Sequence, residues 1–464
     1  MSPPGGLAPP GDVVEAGLAA SRGAGCVVLV HDRSEADVRF AVNRTTTNGV
    51  RRARTVTVAT LGEVDGRATL GVASRSGAVD VTDLVRAAEA VAAASAPVDD
   101  AAPLLGGTVD GDFGEAPGTT DLSVLADVVA GLGGAFDRAE AANRVLAGFA
   151  THEVETTHVG TSEGLRRRHV QPTGSLEVVA RTADGTGSAW ASVGTADFAD
   201  VTTEALEAEL DRRLAWGARR VEVPAGRHAV VLPPSAVADL MVYLWTALGG
   251  QDAEDGHTVF SRPGGGTRVG DELSGRALQL RSDPAEPGLA CAPFLATSSS
   301  SANVSAFDNG LAHERTAWID GGRLERLLYH RAGAARHGAR AASPIGNLVL
   351  EEPGAAGTTE DLVSRTERGL LVTCLWYIRE VDPATLLLTG LTRDGVYRIE
   401  DGEVTGAVTN FRFNESPVDL LGRAADVGAT VRTLGREFSE VLNRTAMPPV
   451  RVDDFNMSTV SPAS

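Results

Sequence analysis

Residues 150–158 read ATHEVETTH, which places His152, Glu153, Glu155 and His158 within seven positions. Imidazoles beside carboxylates are the ligand and general-base types of a hydrolytic zinc site. Such a site on a helix needs its histidines about four apart, so that both rings share a face. His152 and His158 are six apart, which turns them about 240° around a helix axis. Thr151, Val154, Thr156, Thr157, Val159 and Thr161 crowd the same stretch, and β-branched residues at this density favour a strand. On a strand the two histidines share a face but stand roughly 20 Å apart, too far for one ion. The stretch is expected to be a partly exposed strand with polar side chains.

Other chemistry-bearing residues are similarly scattered. His313, His330 and His337 fall in one region, but the arginines of ERLLYHRAGAARHGAR around the last two would repel a cation. RPGGGTRVGDELSG has neither the Gly-Lys-Ser/Thr of a phosphate loop nor dinucleotide-binding spacing, and reads as a loop. TSSSSANVS, residues 297–305, is a polar loop able to hydrogen-bond a peptide backbone. No G-x-S-x-G elbow occurs. Cys26, Cys291 and Cys374 form no C-x-x-C, and their odd number fits a reduced cytoplasmic protein.

The elements that must position these residues follow from periodicity. The chain has 464 residues with 43% hydrophobic content, enough for two or three domains. No apolar run is long enough for a transmembrane helix, and the opening MSPPGGLAPPGD reads as a short flexible leader rather than a secretion signal. A formal net charge of −19 disfavours a nucleic-acid partner.

Residues 13–22 predict a helix, 25–32 and 36–43 two strands, 55–77 a hairpin, and 80–95 a helix opening on Asp-x-Thr-Asp. This is a first mixed α/β domain, residues 12–95. Residues 96–120, rich in Gly, Pro, Ala and Asp, read as a linker. A middle α+β domain, 121–226, offers a helical region, three strands and the helix TTEALEAELDRRLAWGA, with Thr202 or Thr203 as cap and acid–arginine pairs three or four apart. Residues 227–460 form a large β-rich domain: a strand, the apolar helix after Pro233-Pro234, then many short strands with glycine turns. The fold class is α+β.

Four blocks of the last domain carry a family resemblance. AFDNGLAHERTAWIDGGRLERLL, GNLVLEEPGAAGTTEDLVSRTERGLLVTCLW, GVYRIEDGEVTGAVTNFRFNESPVDLL and the terminal MPPVRVDDFNMSTV are similar, in order and spacing, to segments of the TldD/PmbA family. The resemblance spans about residues 20–457. It implies membership of a family of paired subunits: a zinc metallopeptidase subunit, TldD, with H-E-x-x-x-H on the apolar helix of the last domain and a cysteine ligand near the C-terminus, and a partner, TldE or PmbA, without them. The complex cleaves unfolded or extended peptides in the bacterial cytoplasm, leader segments of modified peptides included.

On the corresponding helix this chain has Asp239, Leu240, Met241, Val242, Tyr243, Leu244 and Trp245, and it has no cysteine after residue 424. The resemblance therefore implies a TldE-like subunit, inactive alone, with no catalytic or metal-ligating residue and with zinc only in a TldD-like partner. Its alternative is a stand-alone peptide-binding or scaffold homodimer. Asp308 and Asn309, in a loop facing the central cavity or in an Asx turn, are candidates to face a peptide or a subunit. So are Arg412, Asn414 and Glu415, beside a helix start at Ser416-Pro417.

Overall fold

The computed structural model describes residues 7–439 and 441–461. The first six residues of the expected leader lie outside them. The chain is α+β. Its first half is built on one antiparallel sheet of β1 (Gly25–Phe40), β2 (Thr45–Val64), β3 (Arg67–Ser76), β4 (Arg144–Thr161), β5 (Arg166–Thr182) and β6 (Ser188–Thr195), in the order β3-β2-β1-β4-β5-β6. β1 pairs with β4 from Val27↔Thr161 to Phe40↔Gly148. Segments on either side of residues 96–120 thus share a single sheet.

The two strands expected at 25–32 and 36–43 are one sixteen-residue strand. The polar run between them does not break it, because each residue finds a partner: Arg33 pairs with Glu153, the Ser34 hydroxyl accepts the Thr120 N–H at 3.0 Å, and Arg51 pairs with Glu35. The chain turns only at Val42 and Asn43, both with positive φ.

Four helices cover one face of this sheet. α1 (Pro10–Ala20) and α2 (Val81–Ala94) cover one end, with Val14, Leu84, Val85 and Ala88 against Val28, Val30, Val56 and Val58. α2 starts where expected, the Asp80 carboxylate accepting the N–H groups of Thr82 and Asp83. α3 (Ala126–Ala141) and α4 (Thr203–Trp216) cover the other end through Val128, Leu132, Leu210 and Leu214. Thr202 stands at the N-cap of α4 but makes no capping bond, while the expected pairs form between Glu209 and Arg212 and Arg213. The stretch 96–120 is strapped down: Leu104 and Leu105 pack with Val27, Leu29 and Phe294.

The second half holds two further sheets. A six-stranded one runs 323–324, 316–320, 279–282, 348–351, 445–447, 431–433, and a ten-stranded one is centred on 450–460, 226–232 and 368–372. α5 (Pro234–Thr246) is buried along Ala236–Leu244. It shares one apolar cluster with residues of both sheets, among them Val230, Leu280, Trp318, Leu348 and Phe413. A helix that is apolar all round belongs in such a core.

Gly71 sets how closely α2 lies on β3: a Cβ there would stand 2.1 Å from the Ala88 carbonyl oxygen and 2.2 Å from the Ala92 nitrogen. Both obstacles are backbone, which cannot swing aside. Gly71→Val is expected to lower unfolding stability by about 1–3 kcal/mol or more, read by urea denaturation. An unchanged midpoint would show that α2 is free to shift.

Candidate functional site

α5 presents a single acid, Asp239, to a crossing segment, residues 434–439. Its Oδ1 accepts the Glu437 N–H at 2.8 Å. Burial, with the Glu437 charge adding to it, pushes the Asp239 carboxyl up to about 8, against which the backbone hydrogen bonds act only in part. The next residue back, Arg436, is 11% exposed and lies between two indoles. Its guanidinium carbon is 5.2 Å from the Trp190 ring centroid and 4.7 Å from that of Trp376. One nitrogen donates to Asp394 at 2.6 Å and to the Cys374 sulfur at 2.9 Å. Ser188 donates to the other Asp394 oxygen at 2.6 Å. Burial pushes the Cys374 thiol up to about 12, so it stays protonated.

Glu437 works on the opposite side of the segment. Its carboxylate accepts the N–H groups of Tyr377 and Ile378, at 2.8 and 2.9 Å, while the Tyr243 hydroxyl on α5 donates to the Ile378 carbonyl at 2.7 Å. Strand 375–382 is an edge of the ten-stranded sheet. Two of its backbone donors, at the bulge after Trp376, are therefore occupied by the chain's own glutamate.

This cluster lies on a seam between β5–β6 and the second half. Ser192 donates to the Leu434 carbonyl at 3.1 Å and Arg432 pairs with Asp200. Cavities of about 240 and 270 Å³ flank the seam, both lined by Arg432 and Thr433.

The residues singled out in the sequence are dispersed. His152 and His158 lie on β4 with their rings on the helix-covered face, buried rather than partly exposed. Strand alternation puts both on the side that α1–α4 cover. The His152 Nε2 bonds the Ala196 carbonyl at 2.9 Å, so it donates, and Nδ1 accepts the Thr120 hydroxyl at 2.6 Å. His158 packs edge-on against Phe113. Burial, then Arg168, pushes it down to about 4. Glu153 and Glu155 point to the other face, toward Arg33 and His31.

His313 donates to the Ala292 carbonyl, His330 caps a short helix by accepting the Gly333 N–H, and His337 meets Gln251. Asp308 and Asn309 are each 1% exposed. The Asp308 carboxylate holds the backbone and guanidinium of Arg331 at 2.9 and 2.7 Å. The Asn309 amide ties down Thr297 and Ala306. Glu415 is buried against Arg423 and the Asn456 N–H, and Ser416 donates to the Thr385 carbonyl instead of capping the helix that follows. Arg412 is exposed, with a bond to Thr389 at 3.3 Å. The Asn414 side-chain Oδ1 is buried and finds no hydrogen-bond partner among the described residues.

Two family models match the sequence. One described as the PmbA/TldA metallopeptidase C-terminal domain covers residues 225–459. One described as the PmbA/TldA metallopeptidase central domain covers residues 123–218. The chain belongs to the TldD/PmbA family. No curated protein matches it. Among solved structures, TldE from Thermococcus kodakarensis superposes with a TM-score of 0.76 at 17% identity, covering 96% of this chain and 98% of that one. A putative modulator of a DNA gyrase from Thermotoga maritima gives 0.74 at 16%, covering 93% and 95%. Another from Bacteroides thetaiotaomicron gives 0.73 at 14%, covering 97% and 98%. At these identities the likeness establishes the fold of a TldD/PmbA protein.

The Asp239 cluster does not fit the zinc that the family name implies. Zinc takes deprotonated ligands, usually three from the protein plus an open position. Here α5 supplies one carboxyl held toward its neutral form, the nearby thiol is protonated, and a guanidinium already fills the space beside them. Among the described residues, no group of three or more His, Cys, Asp or Glu is placed to hold a metal. What the cluster does is bind one segment to four others: α5, β6, strand 375–382 and the loop at Asp394. Neither Arg436 nor its indole partners has a sequence signal, since its contacts to Asp394 and Cys374 span 42 and 62 residues.

Two outcomes test this. Arg436→Ala leaves the buried Asp394 with only the more distant Arg393, at 3.7 Å, and is expected to cost toward the lower end of about 3–5 kcal/mol in chemical denaturation. Asp239→Asn keeps the acceptor for Glu437 and removes the titration. Because the folded-state pKa of Asp239 lies above its unfolded value, the neutral carboxyl favours the fold fully below about pH 4 and loses that advantage as pH rises to about 8. The stability of Asp239→Asn relative to the natural chain should therefore grow between about pH 5 and 8 and then level off. Parallel pH–stability curves would place the Asp239 pKa in the ordinary range.

Proposed function

We propose that the chain is the non-catalytic, TldE-like subunit of a two-component TldD/PmbA metallopeptidase acting on unfolded or extended peptides. A zinc-bearing partner supplies the chemistry. The observation that carries this reading is the occupied core position: where the catalytic subunit bears metal ligands on its apolar helix, this chain has Asp239, closed in by Glu437 and the Trp190–Arg436–Trp376 stack. The name of the Thermococcus structure, TldE, agrees with it.

The role left to the subunit is shape. Glu437 occupies edge donors of strand 375–382 that an extended peptide could otherwise use. This steers main-chain pairing toward the partner's side of a shared chamber. The three cysteines are buried and free, which fits a reducing cytoplasm.

The test is zinc content and cleavage of an unfolded peptide by the purified chain, alone and mixed with a TldD-like subunit carrying H-E-x-x-x-H. The expected result is no stoichiometric zinc and no cleavage alone, with chelator-sensitive cleavage in the mixture. Chelator-sensitive cleavage by the lone chain would overturn the proposal. A stable homodimer that ignores the TldD-like subunit would favour the scaffold reading.

A further inference from the structure

The cavity of about 270 Å³ lies between Val170–Thr173 on β5, the turn after β6, and residues 288–290 and 443–445 of the second half. Arg444 reaches into this seam. Its guanidinium donates to the Pro172 carbonyl at 3.1 Å, to the Asn443 side chain at 3.0 Å and to the Thr173 hydroxyl. All three acceptors are neutral. Among the described residues no carboxylate lies within salt-bridge distance of it.

Burial pushes the Arg444 guanidinium down from its ordinary value, the signature of a charge taken out of water. Cys291, then Glu153 and Glu155, act on it through space; burial pushes the Cys291 thiol up, toward its neutral form, and the two glutamates are committed elsewhere, to Arg33 and to His31 respectively. Asp200, on the cavity wall, is held by Arg432 and the Thr195 hydroxyl, and Asp197 accepts the Ala199 N–H. His169 donates Nε2–H to Gln171 at 3.0 Å. The rest of the wall includes Val170, Pro172, Leu289 and Ala290. A half-buried arginine hydrogen-bonded only to neutral partners, on the wall of a partly apolar cavity, is a fork able to take a carboxylate.

We propose that this cavity binds the C-terminal residue of an extended peptide, with its carboxylate on Arg444 and its side chain against Val170, Pro172 and Leu289. The site shares Arg432 and Thr433 with the cavity at Trp190, Arg213 and Trp216 but is otherwise lined by different residues, and Arg436 is not among them. The choice of a peptide as ligand rests on the peptide-handling reading above. The carboxylate itself follows from Arg444.

The experiment is calorimetric titration of the purified full chain, without any partner, with short Ala/Leu peptides. The probes are a free acid, its C-terminal amide, and an amide carrying an internal glutamate. The free acid is expected to bind about tenfold or more tightly than the amide, the equivalent of one charged contact. Arg444→Gln should reduce it to the amide's affinity, with circular dichroism confirming the fold. Should that variant misfold, the acid–amide comparison on the natural chain decides alone. Equal binding of acid and amide, no binding of either, or a difference that survives in a folded Arg444→Gln would overturn the proposal. Rescue of the amide by an internal glutamate would overturn the C-terminal assignment in favour of acidic side chains. None of these outcomes touches partner-dependent cleavage, which is measured separately.

Discussion

A charge removed from water has to be satisfied where it lies, and the guanidinium of Arg436 imposes that constraint on the centre of this molecule. It needs an anion, which Asp394 supplies, and flat polarisable surfaces, which Trp190 and Trp376 supply on its two sides. Those partners come from β6, from an edge strand of the largest sheet and from the loop that follows its neighbour. Satisfying one side chain therefore brings the first half and the second half of the chain into register. Glu437 and Asp239 extend the same lock onto the edge strand and α5.

The sheet of the first half provides the rigid side of that lock. Its two faces divide labour by strand alternation. Leu146, Ala150 and His152 turn under the helices, whereas Glu153, Glu155 and their partners Arg33 and His31 turn away from them. The conspicuous ATHEVETTH stretch is thus split between a buried face and a charged one. Its histidines are held by packing and by Thr120 and Ala196, not by each other.

Much of the fold was legible because it depends on neighbours in sequence. The Asp80 cap, the hairpins, the apolar α5 and the acid–arginine pairs of α4 are set by spacings of one to four residues. Legibility failed where partners are distant. A break was expected within β1, yet Arg33, Ser34 and Glu35 are carried through by Glu153, Thr120 and Arg51. Asp308 and Asn309 stood out as loop residues, but their partners Arg331 and Thr297 are recruited inward by the fold.

By itself the sequence determined the α+β class, the family, and the absence of histidine from α5 and of cysteine after residue 424, since these are properties of composition, order and spacing. Only the tertiary structure decided what surrounds Asp239 on that helix. Arg436 meets Cys374 across 62 residues, and Asp239 meets Glu437 across 198. It likewise left Arg444 in a seam with neutral partners alone. Burial and distance set the chemistry of a charged side chain, and both are consequences of how remote segments pack.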